Sequence, residues 1–237
     1  KAINERRDES FIATKVSPTN LSYDRLLKSA KKSLDRLKID TIDLYQIHFP
    51  NPTVPIKETM KAMEKLVNEG YIQHIGVSNF SIDELKEAQT AMSKEEISSI
   101  QVPYNLLQRN IEIDLLPYCQ KEHITVIAYS PLAAGKIISN QNLSDIAANY
   151  IKSTSQVALN WVISKKDVVV IPRSSKLEHV KMNAGSCGWR LSSNDVKTID
   201  LSFNEYVQTI QHPDKSIKNS VISFIHKYLP RPMLIWL

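Results

Sequence analysis

Short apolar runs alternate with longer stretches of helical periodicity through most of this chain. Six of the runs end on polar residues: FIATK at Lys15, IDLYQIH at His48, HIGVSN at Ser78 and Asn79, SSIQ at Gln101, ITVIAYS at Tyr129 and Ser130, and VVVIPRSS at Arg173, Ser174 and Ser175. Strands that alternate with helices predict a parallel sheet covered by helices. When such a sheet closes into a barrel, the carboxyl ends of its strands converge on one face, where the polar residues would build a site.

The intervening segments read as helices from their spacing. After Ser22, Leu26, Leu27, Ala30, Leu34 and Leu37 fall on one helical face. A second helix runs from Glu58 to Glu69, with Met60, Met63, Leu66 and Val67 inward and Gly70 as its stop. Ser81 and Glu84 form a capping box, in which each side chain satisfies a free backbone N–H of the other residue. Leu115–Glu122 is a short helix that tolerates Pro117 near its first turn. Ser155–Ser164 carries Val157, Trp161 and Val162 on an apolar stripe, and a shorter helix runs from Leu177 to a stop at Gly185. The fold class expected is α/β, an eightfold strand–helix barrel, although only six units are recognisable. Either two units are missing at the front, which would leave exposed sheet edges at Phe11 and Val168, or the sheet closes differently.

The 237 residues fit one barrel domain, with residues 206–237 as a C-terminal tail. A hydrophobic content of 42% supports a large core. The net charge of +5 is mild, and no Lys/Arg cluster interleaved with aromatics points to nucleic acid. Cys119 and Cys187 make neither a disulfide framework nor a metal-ligand pattern, so reduced thiols in a cytoplasmic protein are expected. No apolar run approaches the roughly 20 residues that span a bilayer.

Lys15 and His48 end neighbouring strands in the same register. Separately, each has an ordinary explanation, a lysine reaching solvent or a structural histidine. Together, an ammonium beside an imidazole can tune a proton donor and polarise a carbonyl. Arg173, Ser174 and Ser175 arrive at a helix start, where free N–H groups and the helix dipole favour a phosphate; the alternative is simple serine capping. Tyr129 can stack on a planar ring, though a buried barrel tyrosine is equally ordinary, and Ser78, Asn79 and Gln101 offer groups that read a carboxamide, although polar strand ends are common.

The stretches FIATKV, IDLYQIHFP, GYIQHIGVSNF, QVPYNLL, ITVIAYSPL, SQVALNWVISKKDVVVIPRSSKLEHVKMN and LSSNDVKTID resemble the aldo-keto reductases from residue 1 to about 205. That resemblance implies a TIM barrel that transfers hydride between NADP(H) and small carbonyl or alcohol substrates. It implies catalytic roles for Lys15 and His48, an apolar substrate wall at Phe49, and carboxamide contacts from Ser78, Asn79 and Gln101. It further implies nicotinamide stacking on Tyr129, pyrophosphate contacts at Ser130 and Leu132, 2′-phosphate contacts at Arg173, Ser174 and Ser175, and an adenine contact at Asn183. His179 stands where the family often has arginine at the 2′-phosphate, and Met182 replaces a common glutamate. The family's catalytic aspartate and proton-donating tyrosine have no counterpart in these residues. Turnover by this chain alone is therefore not expected, and the alternative is a non-catalytic cofactor-binding module on the same fold. The amphipathic stretch from Lys215 to Leu229 and the apolar end after Pro230 are expected to pack back over the barrel.

Overall fold

A computed structural model describes residues 6–203, so the expected tail packing lies outside the described residues. The elements follow one another as β1 (Ala13–Val16), α1 (Tyr23–Leu37), β2 (Ile42–Ile47), α2 (Ile56–Asn68), β3 (Ile72–Ser78), α3 (Ile82–Ala91) and β4 (Ile97–Pro103). Then come α4 (Leu115–Lys121), β5 (Thr125–Tyr129), α5 (Gln141–Asn149), α6 (Thr154–Ile163), β6 (Val168–Val170), α7 (Leu177–Ala184) and α8 (Ser193–Ser202). All six strands are parallel and lie in chain order, from β1 to β6. Within the described residues β1 and β6 each pair on one side only.

The register explains why these short runs form one sheet. Val16, Ile47, Val77, Ile100, Val126 and Val168 are successive partners across all six strands, and each is buried. Branched side chains in such a row pack closely on a pleated surface. This face meets the apolar stripes of the helices: Leu26, Ala30 and Leu34 on α1, Met60, Met63 and Leu66 on α2, and Trp161 and Val162 on α6. The opposite face is polar at the same level, where Lys15, Gln46, Gly76, Ser99 and Thr125 are successive partners. Gly76 is glycine for a steric reason, since a Cβ there would meet Ser99 Oγ at 2.7 Å and Gln46 Cγ at 2.8 Å.

The predicted helices are present with small shifts at their ends. The capping box at Ser81 and Glu84 forms in both directions. The helix expected from Ser155 starts one residue earlier, because Ser153 caps it in a second box with Gln156. Two helices, α5 and α8, have apolar positions too sparse to announce them. They are instead marked by their caps, Asn140 and Ser192, whose side chains accept from the backbone N–H groups of Leu143 and Asp195.

Candidate active site

The carboxyl ends of β2, β3, β4 and β5 are tied together through Asn79, by its side chain and its backbone N–H. Asn79, immediately after β3, has φ of 60°, a left-handed conformation that asparagine tolerates better than most residues. Its Nδ2 donates to the His48 carbonyl and to Ser78 Oγ, each at 3.0 Å. Its Oδ1 accepts from the Tyr129 hydroxyl at 2.9 Å. Ser78 Oγ donates at 2.8 Å to the Gln101 carbonyl, which also accepts the Asn79 N–H at 3.0 Å. Both amide protons of Asn79 are thus committed, while Oδ1 keeps one lone pair for a further donor. The buried Gln101 side chain lies on the same face of the sheet as Ser78, its register partner.

Lys15 and His48 stand at the ends of β1 and β2, where the sequence places them. Burial lowers the pKa of the Lys15 ammonium. Burial also lowers that of His48, and the Lys15 charge adds to the effect, so the two groups share one electrostatic environment. No carboxylate pairs with Lys15 among the described residues. Phe49 packs against the His48 ring at a centroid distance of 5.0 Å and remains 44% exposed, an apolar wall beside the polar pair. Tyr129 is half-buried, and burial raises the pKa of its phenol; at neutral pH it acts as a hydrogen-bond donor to Asn79.

The remaining predicted residues form a second cluster. Ser130, with φ of 51°, turns the chain away from Tyr129, and its carbonyl is held by Asn105 Nδ2 at 3.0 Å. That loop carries Leu132 into a cavity of about 550 Å³, lined also by Arg173, Ser174, His179, Met182 and Asn183. Ser175 is exposed and is not among the lining residues. The serine-capping alternative for this segment does not hold. Lys176 is the N-cap of α7 without a side-chain cap, and Ser174 Oγ instead accepts from the Lys176 N–H at 3.1 Å. Arg173 is exposed at the mouth, free to meet an anion.

Two contributors were not singled out from the sequence. Asn105 is fully buried within the stretch QVPYNLL, and its role becomes visible only once the loop after β4 meets Ser130. Lys152 lines the same cavity as Arg173, brought there by the turn after α5. A larger hollow of about 820 Å³, lined by Arg7, Phe11, Thr41, Asp43 and Gln73, lies at the opposite, amino end of the strands. Of its charged residues, Arg7 and Asp43 pair with each other at 2.9 Å. Among the described residues no cluster of His, Cys, Asp or Glu could hold a metal ion, and no helix is long and apolar enough to cross a membrane.

The arrangement can place a flat, amide-bearing ring against Tyr129 and Asn79, beside an ammonium and an imidazole, with an anionic group farther along at Arg173. Known proteins resemble this chain over most of its length. The model of the aldo/keto reductase family matches residues 1–202. Methylglyoxal reductase YeaE of Escherichia coli (strain K12) is 36% identical over 208 residues, covering 86% of this chain and 73% of that protein. Glyoxal reductase of Bacillus subtilis (strain 168) is 36% identical over 210 residues, covering 88% and 74%. An aldo/keto reductase from Klebsiella pneumoniae, solved with NADP and acetate, superposes with a TM-score of 0.81 at 34% identity, covering 85% of this chain and 73% of that one.

Proposed function

Because the chain belongs to the aldo/keto reductase family, whose eightfold strand–helix barrel it shares over six units, we propose that its site serves NADP(H)-dependent interconversion of small carbonyl compounds and alcohols. The observation that carries this reading is the Asn79 hub. It holds the Tyr129 ring and the His48 backbone in one assembly and leaves one acceptor position on Oδ1. The nicotinamide cofactor fits the residues present: a carboxamide N–H suits the remaining lone pair of Asn79, with Ser78 and Gln101 beside it. Ser130 and Leu132 follow as the pyrophosphate loop, and the cavity at Arg173, Ser174, His179 and Asn183 takes the phosphorylated adenosine end. Ser175 contributes from outside that cavity. When bound, the cofactor supplies the hydride.

The protein's own part is position and charge. Lys15 brings a desolvated ammonium to the reacting end, where it stabilises a developing oxyanion and lowers the pKa of a proton donor. His48, held towards its neutral form by burial and by Lys15, offers a hydrogen bond to the carbonyl oxygen without adding a second charge. Phe49 excludes water from one side. Within this reading the substrates are small aldehydes and ketones, with dicarbonyls first, since the named relatives reduce glyoxal and methylglyoxal. The whole chain is proposed to be one domain of a cytoplasmic protein.

The alternative reading is a module that binds the cofactor without turnover. One pair of measurements separates the two: NADPH binding followed by fluorescence, and NADPH consumption with methylglyoxal. Binding with consumption supports the reductase, and binding without consumption supports the second reading. Failure to bind NADPH sinks both.

A further inference from the structure

The cavity beyond Leu132 contains more positive charge than the predicted residues account for. Its lining includes Lys152 as well as Arg173, and no aspartate or glutamate. Lys152 follows Ile151, which adopts φ of 53° although it is β-branched and 93% exposed. A β-branched residue in the left-handed region is strained, and no burial of its side chain compensates here. The turn is closed by two backbone bonds, Ile151 N–H to the Ala148 carbonyl at 3.2 Å and Lys152 N–H to the Ala147 carbonyl at 3.0 Å. Lys152, at the end of this turn, lines the cavity. Its Nζ lies 5.7 Å from the centroid of the Trp189 ring, and no carboxylate pairs with it among the described residues.

Resting on the cofactor reading above, we infer that Lys152 is the second cation of the 2′-phosphate pocket and a determinant of NADP(H) over NAD(H). A phosphate monoester carries about −1.5 to −2 charges near neutral pH, so Arg173 alone leaves it incompletely neutralised. His179 carries no permanent charge, and Ser174 adds only a neutral hydroxyl to the lining. Lys152 and Arg173 together match the dianion. They reach the cavity from separate segments, the turn after α5 and the stretch after β6, so either can be removed without deleting the other.

The test is titration of the 237-residue chain with NADPH, NADH, 2′,5′-ADP and 5′-AMP, using wild type, Lys152→Gln, Lys152→Arg and Arg173→Ala. Lys152→Gln is expected to weaken 2′,5′-ADP and NADPH about tenfold, the scale of one partly solvated charge-assisted contact, and to leave 5′-AMP and NADH within about twofold. Its NADPH affinity should also depend less steeply on salt, and Lys152→Arg should retain at least half of the wild-type preference. Unchanged 2′,5′-ADP binding in Lys152→Gln, or equal losses for the phosphorylated and plain ligands, overturns the inference. If Arg173→Ala still loses NADPH selectivity in that case, the cofactor reading survives without Lys152. A wild-type chain that binds 2′,5′-ADP no better than 5′-AMP overturns both.

Discussion

The two ends of the proposed cofactor groove are built in opposite ways. At the ring end, four strand termini are cross-linked through Asn79, and Ser78 and Gln101 are buried beneath it. At the phosphate end, α7 buries none of its residues, and Leu177, Val180 and Met182 are all exposed. Hydride transfer tolerates little misplacement, because small displacements of reacting groups cost large factors in rate. Holding a phosphate tolerates more, since charge acts over distance and a lysine or arginine can follow its target. In the proposed function, the denser hydrogen bonding falls where orientation would decide the rate. The proposed phosphate end would rely on charge, and α7 there contributes no buried residue to the core.

The largest expected effect breaks the ring end. Lys15→Met should lower kcat of any turnover by about 10²- to 10⁴-fold, the range of a lost acid–base contribution. It should also raise Tm at neutral pH, because the variant no longer buries an unpaired ammonium. The sign follows from the lowered pKa. The folded state holds the Lys15 proton less tightly than the unfolded chain, so the charge destabilises the fold at neutral pH. That penalty fades as pH rises towards the ordinary lysine value of 10.5. The Tm gain should therefore shrink in alkaline buffer, and a constant gain would show that burial of the charge is not its origin.

A paired substitution sharpens the contrast between the ends. Asn79→Ala removes three side-chain hydrogen bonds at once and should cost about 2–3 kcal/mol in urea unfolding. Asn183→Ala, at the phosphate end, removes a side chain that lines the cavity, and should stay within about 0.5 kcal/mol. Similar costs at both positions would erase the proposed difference in rigidity. The smallest effect concerns His48. Its folded pKa lies below the ordinary 6.5, so the unfolded chain takes up the proton first as pH falls. The resulting stability is present above about pH 6.5 and is lost as pH falls through the folded value. His48→Gln should flatten stability between neutral pH and about pH 5, and an unchanged slope would locate the acid sensitivity elsewhere.

Much of this site was legible because strand ends announce themselves. Lys15, His48, Ser78, Asn79, Gln101 and Tyr129 each lie within two residues of a strand's carboxyl end, and the structure brings them to one edge of the sheet. Arg173 and Ser174 were legible in the same way, although the capping role open to the serine is not the one it plays. Lys152 and Asn105 were not, because neither ends a strand nor belongs to a repeating pattern. Asn105 matters through a bond to Ser130, 25 residues away, and Lys152 through a cavity shared with residues after β6.

By itself the chain determined its period. Branched apolar residues at alternate positions make strands, and stripes at helical spacing with serine caps make the helices between them, whatever lies farther along. Which strand end faces which, and which cations share a cavity, depended on the register that carries Val16, Ile47, Val77, Ile100, Val126 and Val168 into one row. Local propensity acts over a few residues, whereas the hydrogen bonds of Asn79 and the charge of Lys152 act on partners that only packing makes neighbours.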